Sequence, residues 1–540
     1  MSTPSKLLTE HQPSSPQLTT EGTSNVADYV LVSIGKFKDR VAQIDVENNK
    51  NITYAEIVSR VIKFSQELVN FGIAKGDVVV FMSKNSIDYC WIVLGILAAE
   101  GVCALLSPTL TAGELRHFTK ILKPKMVIAQ NLTAESIQVL AVEGNVSLIY
   151  AETGTVEGSS YVSSYEDLVS SMAATLSGII KPGIMFPSTL NDKAFLLTSS
   201  GTTGLPKAVD LRHRNIISAL EISGQIMRHD GVTLGLMPFS HAYGLGLMLM
   251  ALCEGSKLVI PPKFSLRSLI NTIVSYQITH LPLVPSIIVS MGKSSEITKY
   301  ELSSVKEIMT GAGPVSPEQQ KQLKKKLQPS AKMFHSYGMT ESTFVVTYGE
   351  VRDDKPGSIG RQIKNIKLKI VNESGEEVKT GEAGELLIRG SCVFNGYLKN
   401  PEATEETLDA MRWLHSGDIV RKDSDGYYFY IERRKQLIKY QGYQISPTEI
   451  EMLLMRHPLV EDAAVIGVEH DTFGEVPCAF VVPRKGYDGG EELIAMVKEE
   501  LSPYKQLRGG VHFITSIPKT ISGKIKRNVL KELYEKSLAK

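Results

Sequence analysis

The sequence predicts an α/β protein: a large N-terminal domain of stacked αβ sheets with a small β-rich subdomain, then a small α+β C-terminal domain. Three observations predict it. Short apolar strands alternate with helical segments of roughly 10–15 residues through about the first 350 positions, the pattern of parallel sheets covered on both faces. From 357 to 430 the texture changes to β-branched strands and glycine turns, which suggests a smaller, mostly antiparallel sheet. After Glu432 the basic stretch Arg433-Arg434-Lys435 introduces a third texture of short strands and helices. At 540 residues the chain is too long for one core. We therefore expect a disordered tail over 1–25, a domain over 26–432 (core 26–350, β-rich part 351–432), a joint at 433–435 and a small domain over 436–540.

The elements follow in order. Thr53 and Glu56 form a capping box, Ile57, Val61, Phe64 and Leu68 continue at helical spacing, and Gly72 closes the helix. Strands are expected at 77–82, 102–106 and 126–129, with helices at 86–99 and 112–122 between them. The apolar runs 90–99 and 244–253 are stopped by Glu100 and Glu254, short of the ~18–20 residues that cross a membrane, so they read as buried helices. Further on, strands are expected at 366–371 and 384–389. Ser446 and Pro447 start a helix. Strands at 463–468, 476–482 and 511–514 and a helix from Glu491 complete the small domain.

Composition narrows the class. A hydrophobic content of 43% with 22% charged residues is that of an ordinary globular chain, and a net charge of +1 gives no argument for nucleic acid or an acidic membrane as partner. Cys90, Cys103, Cys253, Cys392 and Cys478 are scattered with no CxxC pair, which fits unpaired thiols in a reducing compartment. The first 25 residues lack an apolar core and any arginine, and the chain ends Leu538-Ala539-Lys540 rather than Ser-Lys-Leu. An intracellular, cytoplasmic protein is expected.

The most informative stretch is LLTSSGTTGLPKAV, 196–209. An apolar strand runs into Ser199, Ser200, Thr202 and Thr203 interleaved with Gly201 and Gly204, and ends on Lys207. Glycine permits the backbone that turns successive N–H groups toward one anion, and the hydroxyls and the lysine add donors and charge. Leu205-Pro206 separates the last glycine from the lysine, so this is not the Gly-Lys-Ser/Thr loop of kinases and GTPases.

SSGTTGLPK closely resembles the phosphate-binding signature of adenylate-forming enzymes: acyl-CoA synthetases, 4-coumarate–CoA ligases and beetle luciferases. Five further stretches match that family in order, so the resemblance covers roughly 50–535: PFSHAYG at 238–244, MTGAGP at 309–314, SYGMTE at 336–341, HSGD at 415–418 and PKTISGKI at 518–525. It implies that Lys524, His241, Thr340 and Lys207 carry catalysis. The nucleotide would lie against Ser199 through Gly204, Lys207, Ala312, His335, Ser336, Tyr337, Thr340, Asp418, Arg433 and Lys524. His241, Tyr243, Leu247, Met309, Ala312, Ser336, Phe344 and Val345 would line an acyl pocket. Glu341, a hard oxygen ligand, would hold Mg²⁺. Lys435 would be the pivot of a mobile lid, and Lys263, Lys439 and Gly442 would meet coenzyme A.

The implied reaction joins a carboxylic acid to coenzyme A at the expense of ATP. The expected pocket has no cation for a second carboxylate, so an apolar monocarboxylic acid is expected, a medium-chain fatty acid or an arylpropenoic acid. Several positions depart from the family's pattern: Ala208 for glycine, His335 for glutamine, Ser336 for glycine, Glu432 for aspartate and Gln441 for lysine. Three alternatives share part of the pattern: an enzyme that loads a carrier protein, a luciferase-like monooxygenase, and a nucleotide-binding scaffold without turnover.

Overall fold

The computed structural model describes residues 25–130, 133–140, 148–151, 162–164, 168–170, 188–199, 206–224, 231–441, 443–484, 486–520 and 523–538. Two large sheets and a third, smaller one organise them. In the eight-stranded sheet, Lys193–Ser199 runs parallel to Val102–Leu105, Val78–Met82 and Met126–Ala129, while Lys207–Arg212 folds back antiparallel on it. These parallel strands are buried on both faces, which is why they read as continuous apolar runs.

The thirteen-stranded sheet has a parallel centre that includes His280–Leu283, Glu307–Thr310 and Lys332–Tyr337. The antiparallel strands expected past residue 357 are present. They do not stand apart: Thr347–Glu350 hairpins off Lys332–Tyr337, and the later strands add successively to that edge. One short strand, Gly396–Tyr397, crosses instead to the eight-stranded sheet and pairs with Lys207–Arg212.

Between the sheets lies the main core. Every residue of the helix Tyr89–Ala98 is buried, as is nearly all of Ala242–Cys253. A helix apolar on all sides has no solvent face to offer, so both sit inside the layers. Gly95 lets the first of them approach the capped helix Tyr54–Asn70, where Phe64 meets Trp91 edge-on at 5.4 Å. Among the described residues no helix is long and apolar enough to cross a membrane.

The five-stranded sheet has its own core of residues from Ile438 onward, covered by Pro447–Leu454, Gly490–Glu500 and Arg527–Leu538. Glu432 ties it to the large domain. Its buried carboxylate accepts from Ser446 Oγ (3.1 Å) and from the Thr448 amide (3.0 Å), at the positive end of the helix Pro447–Leu454.

Candidate active site

Parallel sheets place ligand sites beyond the carboxyl ends of their strands, where the chain leaves for loops. Here Ser199, Thr310 and Tyr337 end three such strands. Ser199, the loops after Thr310 and Tyr337, the Lys207 hairpin strand and the C-terminal domain line a cavity of 510 Å³, and a second of 790 Å³ adjoins it between the domains. The loop residues Ser200, Gly201, Thr202, Thr203 and Gly204 lie outside the described residues, as does Gly442.

Glu341 sits on the short helical turn Thr340–Ser342 and is buried. Two hydroxyls donate to the same carboxylate oxygen, Oε1: Ser199 Oγ at 2.7 Å and Tyr397 OH at 2.8 Å. The Lys207 ammonium lies 4.7 Å from the centroid of the Tyr397 ring. Thr340 is buried beside Glu341 and faces the cavity.

Across the cavity, the register of two antiparallel strands sets Asp418 opposite Arg433. Arg433 Nε donates to Asp418 Oδ1 at 3.0 Å, and Tyr337 OH donates to Oδ2 at 2.6 Å. Both carboxylate oxygens are thus oriented. The Asp418 charge and burial push the Tyr337 hydroxyl well above its usual pKa, burial first. Ala312 adopts φ +65, which turns the backbone after Gly311 sharply into the cleft. Ser336 Oγ donates to Thr310 O at 3.1 Å, and His335 is buried below it with its Nε2 3.4 Å from Gly313 O.

His241 caps the helix Ala242–Cys253 through its backbone and leaves its imidazole to the cavity. Burial, and then the nearby Lys524 charge, lower its pKa to about 4, so the ring is neutral near pH 7. Along one helix face follow Tyr243, Gly246 and Met250, with Met309, Phe344 and Val345 opposite. Leu247 is a correction to the expected pocket. It lies beside Tyr243 on the same face of the helix but is 3% exposed, its side chain taken up by the core rather than the cavity.

Lys524 reaches the cavity from the C-terminal domain, where its amide donates to Thr520 Oγ1 at 3.1 Å. Its side chain is open to solvent within the cleft yet walled by both domains. Burial and the Arg433 charge lower its pKa, while Asp418 and Glu341 oppose them. Lys435 lines the same cavity from the turn Arg434–Gln436. Lys439 does not: its side chain is exposed between the buried Ile438 and Tyr440, and its backbone N–H donates to Glu475 Oε2 at 2.9 Å. Lys263 is exposed just before the helix Leu266–Ser275 and also stands outside the cavity. As placed here, the C-terminal domain brings Lys524 to the cavity and leaves Lys439 outside it.

Sequence reading missed Tyr397, Gly246 and Met250. The first lies in the string FNGYLKN, where only the Gly-Tyr pair after an apolar run gave a signal, and nothing local shows that it crosses to the other sheet. The other two required the helix to be rotated against its neighbours.

The sequence model described as AMP-binding enzyme matches residues 32–398, and that described as AMP-binding enzyme C-terminal domain matches 449–524. The chain is 34% identical over 533 residues to the 4-coumarate–CoA ligase-like 9 of Oryza sativa subsp. japonica, covering 95% of this chain and 93% of that one. It is 34% identical over 518 residues to a 4-coumarate–CoA ligase 1 of Narcissus pseudonarcissus, covering 93% and 92%. The crystal structure of ATP-bound MatB from Rhodopseudomonas palustris superposes with a TM-score of 0.83 at 25% identity, over 94% of this chain and 99% of that one.

Proposed function

This chain belongs to the AMP-binding enzyme family, and we propose that within it the chain is an ATP-dependent acid–thiol ligase for an apolar monocarboxylic acid. The observation that carries the reading is the 510 Å³ cavity, which joins a cationic end at Lys207 and Lys524 to an uncharged end at Met250 and Phe344. An acid whose carboxylate sits near His241 and Lys524 would have its body on Tyr243, Gly246, Met309 and Val345. None of these carries a charge, which favours a medium-chain fatty or arylpropenoic acid over a dicarboxylic one. The curated relatives' names, 4-coumarate–CoA ligases, favour the arylpropenoic choice.

In the first half-reaction a carboxylate oxygen attacks the α-phosphorus of ATP, the bond to the bridging oxygen breaks, and pyrophosphate leaves. This displacement depends on position and charge. Lys207 and the 199–204 loop hold the outer phosphates, and Thr340 and Lys524 hold the α-phosphate. Asp418, oriented by Tyr337 and Arg433, accepts from the ribose hydroxyls. The neutral His241 orients the acid without adding charge. Among the described residues no three His, Cys, Asp or Glu cluster as a metal cage. The buried Glu341 carboxylate, bonded to Ser199 on the strand that leads into the phosphate loop, suits Mg²⁺ that arrives with the nucleotide, and when bound that ion would supply charge neutralisation of the phosphates. In the second half-reaction the coenzyme A thiolate sulfur attacks the acyl carbon, the acyl–oxygen bond breaks, and AMP leaves. Rotation about Lys435 would withdraw Lys524 and bring Lys439 and Gly442 inward for that step.

Mass spectrometry of the purified protein with Mg·ATP, coenzyme A and a panel of fatty, cinnamic and dicarboxylic acids tests the reading. Acyl-CoA in step with AMP is expected for the monocarboxylic acids. Adenylate without thioester would move the acceptor to a carrier protein, and preference for a dicarboxylic acid would overturn the substrate class.

A further inference from the structure

We propose that Tyr397 is a positioning residue that holds two charged groups of the site at once, its hydroxyl fixing the Glu341 carboxylate and its ring seating the Lys207 ammonium. The inference rests on the proposed roles of those two residues.

Backbone pairing makes the arrangement possible. Tyr397 pairs with Val209 on the strand that begins at Lys207, two residues away. On one face of an antiparallel pair such a diagonal neighbour is within reach of a long side chain. The 4.7 Å separation of ammonium and ring centroid is that of a cation–π contact. The strand itself is anchored: the Tyr397 amide donates to Thr404 Oγ1 at 2.9 Å, and Thr404 packs on Gly396, whose φ of +147 favours glycine. Phe394 braces the ring edge-on at 5.0 Å.

At the far end of the ring the hydroxyl meets Glu341. A carboxylate oxygen accepts two hydrogen bonds comfortably, and Oε1 receives both Ser199 and Tyr397. Neither hydroxyl engages Oε2, so the pair holds Oε1 in place and, among the hydroxyls of the described residues, leaves the second oxygen for a cation. Ser199 comes from the phosphate-loop strand and Tyr397 from the chain that crosses between sheets. The carboxylate is therefore clamped from two independent elements. A tyrosine that only filled the core would need neither its hydroxyl nor a lysine on its face.

Calorimetric titration of the full-length protein with ATP, without acid, at a series of Mg²⁺ concentrations tests this. Tyr397→Phe keeps the ring and loses the hydroxyl. It should raise the Mg²⁺ concentration for half-maximal ATP binding about tenfold, as loss of a bond to a charged group predicts. ATP affinity at saturating Mg²⁺ and the melting temperature should stay as in the parent. Tyr397→Leu should in addition weaken ATP binding at saturating Mg²⁺ by roughly three- to fivefold, from loss of the cation–π contact. Ser199→Ala, which removes the other donor, should shift the Mg²⁺ dependence in the same direction. Glu341→Gln serves as the reference. If it shifts the Mg²⁺ dependence and Tyr397→Phe does not, the positioning role of Tyr397 is overturned. Should Glu341→Gln itself leave that dependence unchanged, the role of Glu341 falls, and the proposal falls with it.

Discussion

The ring of Phe344 lies so close to Gly246 that a Cβ on the glycine would stand 2.8 Å from ring carbon Cδ1. Phe344 has φ +78 and follows Thr343 at φ +50, two left-handed non-glycine residues in a row. Such backbone costs of order 1–3 kcal/mol per residue and persists only where surroundings enforce it. Gly338 makes room for it, because any side chain there would overlap the Phe344 carbonyl. The strained turn thus drives an aromatic ring into the uncharged end of the cavity.

Phe344 is accordingly expected to limit the length or bulk of the acid. Phe344→Ala should raise kcat/KM for acids one or two carbons longer by roughly tenfold relative to the parent's best acid, the range that a methylene commands in an apolar pocket. Gly246→Val should shift the preference toward shorter acids. An unchanged rank order across a chain-length series would refute both.

Lys524→Ala should reduce adenylate formation, followed as pyrophosphate exchange, by about 10²–10³, the usual cost of one preorganised donor to a developing charge. Thioester formation from supplied acyl-adenylate should change far less. Equal loss in both halves would mean that the lysine serves the fold instead.

Lys293, at the end of the helix Pro285–Lys293, donates across the domain boundary to the Val460 and Glu461 carbonyls at 3.3 and 3.1 Å. If the C-terminal domain turns for the second half-reaction as proposed, these bonds must break. Lys293→Ala should slow the adenylation half-reaction roughly three- to tenfold through loss of these bonds, and spare thioester formation. Rapid-quench measurement of the two halves separates the outcomes, and a uniform decrease would argue against a latch.

His213 is 1% exposed, and its Nδ1 accepts from the Val26 amide at 3.1 Å. Burial lowers its pKa from 6.5 to about 4. The folded pKa lies below the unfolded one, so the unfolded state binds the proton first as pH falls. Stability is full above about pH 6.5 and declines toward pH 4, by an amount on the order of 3 kcal/mol from this residue. His241, shifted the same way, adds to that decline. In His213→Gln the melting temperature should fall less steeply between pH 6.5 and 4 than in the parent. Parallel curves would exclude His213 as a source.

Much of this protein was legible in one dimension. Periodicity located the buried helices and parallel strands, because a strand covered on both faces must be apolar throughout and a helix between layers has no polar side. The motifs marked His241, Ala312, Tyr337, Thr340, Glu341, Asp418, Arg433 and Lys524 because phosphate, ribose and cation chemistry each require particular atoms at fixed backbone positions, and the structure brings these residues to one cleft. Tertiary structure alone decided the rest. The β-rich strands joined the parallel sheet because edge strands left with unpaired amides find partners through space, which no local pattern encodes. The side of the helix Ala242–Cys253 that faces the cavity was settled by packing, which chose Gly246 and Met250 over Leu247 on a surface apolar all round. Tyr397 reached Glu341, 56 residues away, because one short strand crosses between sheets. Sequence spacing fixes what a residue can do chemically, and long-range pairing fixes which partner it does it with.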